Sequence, residues 1–445
     1  MSSRRLSALG GAMDGCRFLW LAAAVVILAA FAGLRPAPAA AVAPTAKWIA
    51  QWNTDPAGKA SGVELATFGR GDLFAGATFV TAKGADRILV ARYTRAGDSR
   101  WVRLFKWRGA TALGLGALAV DRSRHVYVLG TVRTAGRGQD WLILKYSPSG
   151  KVLWMRRIDG RRRDDFAGGL AVTPGGAAYA TGAITLGDGS TEALTVKYSR
   201  AGKLLWRRRF GGASHLGANG AAIALDRSDN AYIAGSSVQS AGRASLTAKY
   251  RSNGRRVWVR TQLPSDGASV QLRAIAVSSA GVAVGGVWTA TAGGSPGAVD
   301  AVYSTSGDGA LTFGDTSLKA DIDAVTLNNG GLFGIAGTST GRLAGGVLRL
   351  SSPLPVSSYI SPLDGVATRI AMVADGSFYL TGLVHVTNAP DAALVAAIDN
   401  KSGERWSTTL GAASDSEADG LVYSPGGVYV AMNLGPDLTL YKFAP

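Results

Sequence analysis

Asp140 to Ile158 reads DWLILKYSPSGKVLWMRRI and holds Tyr146, Gly150 and Trp154 at intervals of four. The trio returns as Tyr93, Gly97 and Trp101, as Tyr198, Gly202 and Trp206, and as Tyr250, Gly254 and Trp258. Each Tyr closes a short apolar run of the LILKY or LTVKY type, and each Trp belongs to a second run (VLWMRRI, LLWRRRF, RRVWVRT) beyond a glycine turn. Two such runs around a glycine read as a pair of antiparallel strands.

Working outward, every copy is preceded by two further apolar runs around a turn, as in LAVDRSRHVYVLGTV, LAVTPGGAAYATGAI and IALDRSDNAYIAGSS. The turns carry Pro-Gly-Gly, Asp-Asn, Asn-Gly or Asp-Gly, which preset or permit the φ values of hairpins. Four strands and their turns therefore make one unit. The third runs close on Tyr93, Tyr146, Tyr198, Tyr250, Tyr303, Leu350, Ile398 and Phe443, a period of 45 to 53 residues. That exceeds leucine-rich, ankyrin and tetratricopeptide repeats and suits four-stranded propeller blades. The expected fold is an all-β propeller of eight four-stranded blades, with seven as the alternative.

Counting runs predicts how the ring closes. The last unit has no fourth run, whereas KWIAQWNTD, Lys47 to Asp55, is an alternating apolar stretch with no unit of its own. Trp48 precedes Gly76 by the interval that separates Trp154 from Gly182. The N-terminal stretch is thus expected to supply the missing outer strand. The second runs end on Gly76, Gly130, Gly182, Gly235, Gly286, Gly337 and Gly382, with Met432 eighth. Small residues there are expected to let neighbouring sheets approach.

The units resemble the bacterial propeller repeats known as SBBP repeats, and less closely delta-60 repeats, in KYSPSGKVLW, KYSRAGKLLW and KYRSNGRRVW and in the preceding LAVTPGGAAYATG and IALDRSDNAYIAG. The likeness covers residues 46–445, most strongly in the first four units. It implies an extracytoplasmic propeller and brings no shared enzymatic activity.

Before the repeats, Arg4, Arg5 and Arg17 precede seventeen apolar residues, Phe18 to Leu34, and then APAAAVA. This is the pattern of an export signal over residues 1–41, or of an uncleaved anchor, ahead of one domain at 42–445. The expected location is extracellular or the cell envelope. The single cysteine, Cys16, lies in the signal.

The formal charge of +17 is uneven. Residues 42–300 hold 36 basic and 16 acidic side chains, whereas residues 301–445 hold 7 and 13. Arg161, Arg162, Arg163, Arg207, Arg208 and Arg209, from adjacent units, are the candidate anion-binding residues. Charge on exposed outer strands also keeps sheet edges from pairing. The partners this admits are an anionic cell-wall polymer, a membrane surface or a protein, with no specific nucleic acid.

Nothing points to catalysis. His125, His215 and His385 have no metal-ligand spacing, so no metal is assigned. Asp86, Asp140, Glu192, Asp391 and Asp437 recur before the third strands and are expected to cap the turns there. AIDNKSGERW, Ala397 to Trp406, resembles the tryptophan-docking repeat of quinone-dependent propellers, without a recognisable cofactor pocket. The expectation is a binding or scaffold module without a cofactor, and the alternative is a quinone-dependent dehydrogenase or a hydrolase.

Overall fold

Runs of Val, Ile, Leu and aromatic residues that pack on both faces, broken by glycine turns every six to ten residues, leave little but short antiparallel strands. The computed structural model describes residues 45–444 apart from 53–57, 69–71, 160–162, 213–215, 265–267, 290–296, 310–311, 314–319, 328–330, 340–341, 350–354, 401–402, 411–415 and 435–436. The stretch expected to be an export signal, Arg161, Arg162 and His215 lie outside the described residues. Those described form 31 strands and no helix.

Six sheets have four strands and one has seven. The seven-stranded sheet contains an 18-residue strand, Pro355–Met372. Its first half pairs with Arg342–Arg349 and its second half with Phe378–Val384, so it ends one unit and begins the next. Counted in both, it completes eight four-stranded units: residues 59–105, 110–158, 166–210, 218–260, 269–313, 320–364, 365–410, and 416–443 with 48–52. The first strands of consecutive units touch in an unbroken cycle, which places them innermost and closes the ring into a β-propeller. Among the described residues, the fourth strand of unit 5 comprises Thr312–Phe313.

The N-terminal strand, Trp48–Trp52, is the outermost strand of unit 8. It runs antiparallel to Asp437–Phe443, with Trp48 opposite Lys442 and Trp52 opposite Leu438. Trp52 stands edge-on to Phe79 of unit 1 at 5.2 Å. One strand thus fills the last sheet and binds it to the first.

Every inner strand carries a bulge, and the residue facing it on the second strand is the glycine that ends the second run, or Met432 in unit 8. A bulge bends its strand and disrupts the ladder locally. A Cβ at Gly182, Gly235, Gly286 or Gly382 would collide with the carbonyl oxygen of Phe166, Asn219, Gln271 or Val366. The expected approach of neighbouring sheets is present as well: a Cβ at Gly76 would meet Leu118 and Leu115 of unit 2 at 2.9 and 3.0 Å, and one at Gly130 would meet Ile88 of unit 1 at 2.9 Å. Neighbouring sheets add a second contact, such as Trp141 against Gly182.

Antiparallel order sets the turns between strands 1 and 2, and between 3 and 4, on one face, here called the lower. The remaining connections lie on the upper face.

Candidate functional site

The trio Tyr, Gly, Trp works between units. The Trp154 indole of unit 2 donates to the Arg200 carbonyl in the lower turn of unit 3 at 3.0 Å and lies 6.2 Å from Tyr198. Gly202 in that turn has φ 78°, and a Cβ there would meet the Trp154 ring at 2.8 Å. Trp101, Trp206 and Trp258 make the same bond to Pro148, Ser252 and Thr305. Two residues beyond each tryptophan an arginine stacks on it and donates to the next turn, Arg156 to Gly202 and Arg208 to Gly254, both at 2.7 Å.

A second lock is the lysine before each tyrosine. Lys145, Lys197 and Lys249 lie over Tyr127, Tyr179 and Tyr232 and donate to Arg200, Ser252 and Thr305 of the following unit. Lys442 repeats this across the closure, reaching the Arg95 carbonyl at 2.9 Å. Burial pushes all four ammonium groups below the usual lysine range. A π face and a carbonyl keep each cation in place, and the carboxylates of Asp121, Asp229 and Asp226 favour the charged form of Lys145, Lys197 and Lys249.

Four of the six predicted arginines are described, each with its own surroundings. Arg208 is held in a seam. Arg209 lies 3.5 Å from Glu192, and Arg163 donates to the Gly187 carbonyl on the upper face at 2.6 Å. Arg207 is exposed on the outer strand. Arg161 and Arg162 are outside the described residues.

Of the recurrent acids, Asp391 closes its own turn as expected, and the others pair with an outer strand or a neighbouring unit. Asp140 binds Arg157 of the next strand, Asp391 binds His385, Asp437 accepts from Gln51, and Asp86 accepts the Leu113 amide of unit 2. Asp140, Asp437 and Asp86 stand where an outer strand or a neighbouring unit offers a partner. Burial pushes the Asp140 carboxyl up against the pull of Arg157. Among the described residues, no group of three His, Cys, Asp or Glu is placed to hold a metal ion.

Sequence reasoning missed the channel. The bulged residues of the inner strands are Gly116, Gly168 and Ala221 in units 2 to 4, but Arg273, Asp323, Thr368 and Asp419 in units 5 to 8. Arg273 pairs with Asp323 at 2.6 Å. Arg369 of unit 7 reaches Glu64 of unit 1 at 2.9 Å, past the inner edge of unit 8, and so across the channel wall. Burial raises the Glu64 carboxyl, Arg369 opposes this, and nearby Asp419 adds to it. One side of the channel is charged and the other small.

On the lower face, Tyr127 and Tyr179 donate to the next unit's first turn, at Gly176 and Asp229. The corresponding hairpin of unit 5 closes early, with Ser278 opposite Gly281, and Tyr232 turns back to Asp226 of its own unit. A groove of about 520 Å³ opens there, lined by Asp226, Arg227, Lys249, Ser278 and Thr305 among others. Its polar groups are largely engaged: Asp226 accepts from Ser228, Asn230 and Tyr232, and Lys249 from unit 4 binds Thr305.

The lower outer rim of units 2 to 4 differs. Each outer strand begins with cations and aliphatics, Lys151-Val152-Leu153, Lys203-Leu204-Leu205 and Arg255-Arg256-Val257, all exposed.

No family model matches the chain, and no curated protein does. Among solved structures it is similar to the Dos1 propeller, with a TM-score of 0.59 and 12% identity over 90% of this chain and 95% of that one. Prolyl oligopeptidase B from Galerina marginata overlaps at 0.48 with 11% identity, over 84% of this chain and 55% of that one. Extracellular domains 1 and 2 of Drosophila Semaphorin 1b overlap at 0.44 with 9% identity, over 91% and 87%. The first likeness shows the propeller fold alone, and the looser two carry no argument.

Proposed function

We propose that this chain is an exported, non-catalytic propeller of the SBBP-repeat kind that serves as a binding scaffold at the cell envelope, with the lower rim of units 2 to 4 engaging a polyanionic surface. The observation that carries the reading is the fate of the charges. In the channel, Glu64 is paired with Arg369 and Arg273 with Asp323, whereas Lys151, Lys203, Arg255 and Arg256 stand exposed at one end of three adjacent outer strands. Residues 42–300, which contain that rim, hold the +20 excess. Clustered cations of one sign steer polyanions and do so less as salt rises.

The protein is expected to be retained on a polyphosphate matrix at low salt and released at high salt. The quadruple variant Lys151→Ser, Lys203→Ser, Arg255→Ser, Arg256→Ser should elute early with an unchanged melting temperature. Retention equal to the parent's would sink the reading. As a non-catalytic scaffold it should also show no turnover with pyrroloquinoline quinone and calcium, or with ester and sialoside substrates. Dye reduction that requires the quinone would instead mark a dehydrogenase.

A further inference from the structure

We infer that the lower rim of units 2 to 4 docks on an anionic lipid bilayer, its cations on headgroup phosphates and its aliphatics in the acyl boundary. This rests on the reading of the rim as a polyanion-binding surface and names the surface. Of the nine large hydrophobics that stand exposed among the described residues, five are Val152, Leu153, Leu204, Leu205 and Val257, at 40 to 50% exposure. They occupy the first two positions of the outer strands Val152–Ile158 and Leu204–Phe210 and the second position of Arg256–Arg260. A concentration in one place, repeated from unit to unit, is not the scatter of single apolar residues found on any surface.

Nothing inside the fold requires these side chains. The lock of each seam is the tryptophan one or two positions on, which is buried, while the aliphatics before it remain in solvent. Each pair or single aliphatic follows directly on Lys151, Lys203, or Arg255 and Arg256. Because the outer strands of all three units run from the lower face upward, these groups lie at the same end and reach one plane together.

The combination decides the partner. Cations alone would serve any polyanion, but a hydrated polysaccharide or polyphosphate offers aliphatics no phase to enter. A lipid surface takes both, phosphates at the headgroups and Leu or Val just below them. The same rim on a second copy would be repelled by its own charge.

The entry of the chain agrees. As fourth strand of unit 8, Trp48–Trp52 also begins at the lower face, where Lys47 donates to the Lys442 carbonyl at 2.7 Å and Lys442 reaches the lower turn of unit 1. The described chain thus enters the ring on the side that carries the rim. With the lower face on the bilayer, the upper loops point away from it.

Residues 45–445 contain every strand of the ring, so this segment tests the rim without the apolar run. It should co-sediment with vesicles of phosphatidylglycerol and phosphatidylcholine but not with phosphatidylcholine alone, and part of that binding should survive high salt. The variant Leu153→Ser, Leu204→Ser, Leu205→Ser, Val257→Ser should bind these vesicles about tenfold or more weakly, as expected for lost aliphatic insertion, while its retention on polyphosphate is unchanged. Because Cys16 is the single cysteine, Leu205→Cys in this segment can carry a polarity-sensitive dye, whose emission should shift to the blue with anionic vesicles and not with soluble polyphosphate. Vesicle binding by the serine variant equal to the parent's, or a dye that reports water throughout, would overturn the inference. Retention on polyphosphate would still stand in that case, and its loss would overturn the wider reading separately.

Discussion

Units 1 to 5 and units 5 to 8 solve the same problem differently. In the first set each seam is bolted by side chains: an indole on the next turn's glycine, an arginine over the indole, and a lysine or Arg92 reaching the same turn. Between units 6 and 7 the joint is backbone, because Pro355–Met372 belongs to both sheets. At the seam of units 7 and 8, Trp406 faces Phe443 at 5.4 Å in place of a tyrosine. Side-chain bolts demand a repeated motif, whereas a shared strand demands only extended backbone. The first kind is therefore conspicuous in a sequence and the second is silent.

The largest expected effect comes from the seam that joins the two halves. Deleting residues 45–52 removes the outer strand of unit 8 and the Trp52 contact with Phe79, and should lower stability by more than about 4 kcal/mol, the scale for losing a single buried aromatic. An unchanged denaturation midpoint would show that the strand is dispensable. Within the bolted half, Trp206→Ala should cost about 3–5 kcal/mol, since it removes a buried ring and one of the two hydrogen bonds that the Ser252 carbonyl accepts, leaving only that from Lys197. If unfolding by denaturant scarcely moved, the indole would be decoration.

Two glycines sharpen this. Gly202 and Gly189 have similar φ, 78° and 89°, but a Cβ meets Trp154 at the first and open space at the second. Both alanine variants carry backbone strain, so Gly202→Ala should exceed Gly189→Ala by about 1–3 kcal/mol, the cost of overpacking. Equal losses would mean that the turns are glycine for conformation alone.

The smallest effect is a dependence on pH. Burial pushes Tyr93 and Tyr303 up to about 12, above the usual tyrosine value of about 10, and raises Tyr146 as well. A raised pKa means that the native state keeps its proton while the unfolded chain loses it. The contribution is full below pH 10 and drains away as pH rises toward 12. The melting temperature should fall across that window. Tyr146→Phe should flatten the fall, and because the Tyr146 hydroxyl is buried without a hydrogen-bond partner, it should cost little or nothing at neutral pH. A variant as alkali-sensitive as the parent would clear Tyr146 of this role.

What could be read beforehand follows the same division. Period, unit count and closure were visible because Tyr93, Gly150 and Trp206 are repeated side chains with fixed spacing. The partner of each was not visible: spacing cannot tell that Trp154 docks on Gly202 rather than on its own Gly150. The glycines at the ends of the second runs were noticed, but the bulges that require them were not, since a bulge is a backbone event. The channel charges hid in that column, about fourteen residues before the glycines, where Gly168 and Ala221 give way to Asp323 and Thr368. A column that varies in charge looks like drift until the inner strands are brought around one axis. The candidate arginines were picked by density, and density also marks Arg208, whose guanidinium is a bolt.

The outer strand of unit 8 also sets a timetable. Gln51 bonds to Asp437 across 386 positions of chain, so a strand completed among the first of the ring waits for one completed last. Units 1 to 5 can assemble on neighbours already made, as each tryptophan meets the turn that follows it. Closure cannot, and contacts of such separation are the slow ones. Until Asp437–Phe443 emerges, the molecule is an open arc with an unpaired edge at each end, the state most exposed to mispairing with another copy. A chain stalled or cut short of that strand would retain nearly all of its bolts and still be unable to shut.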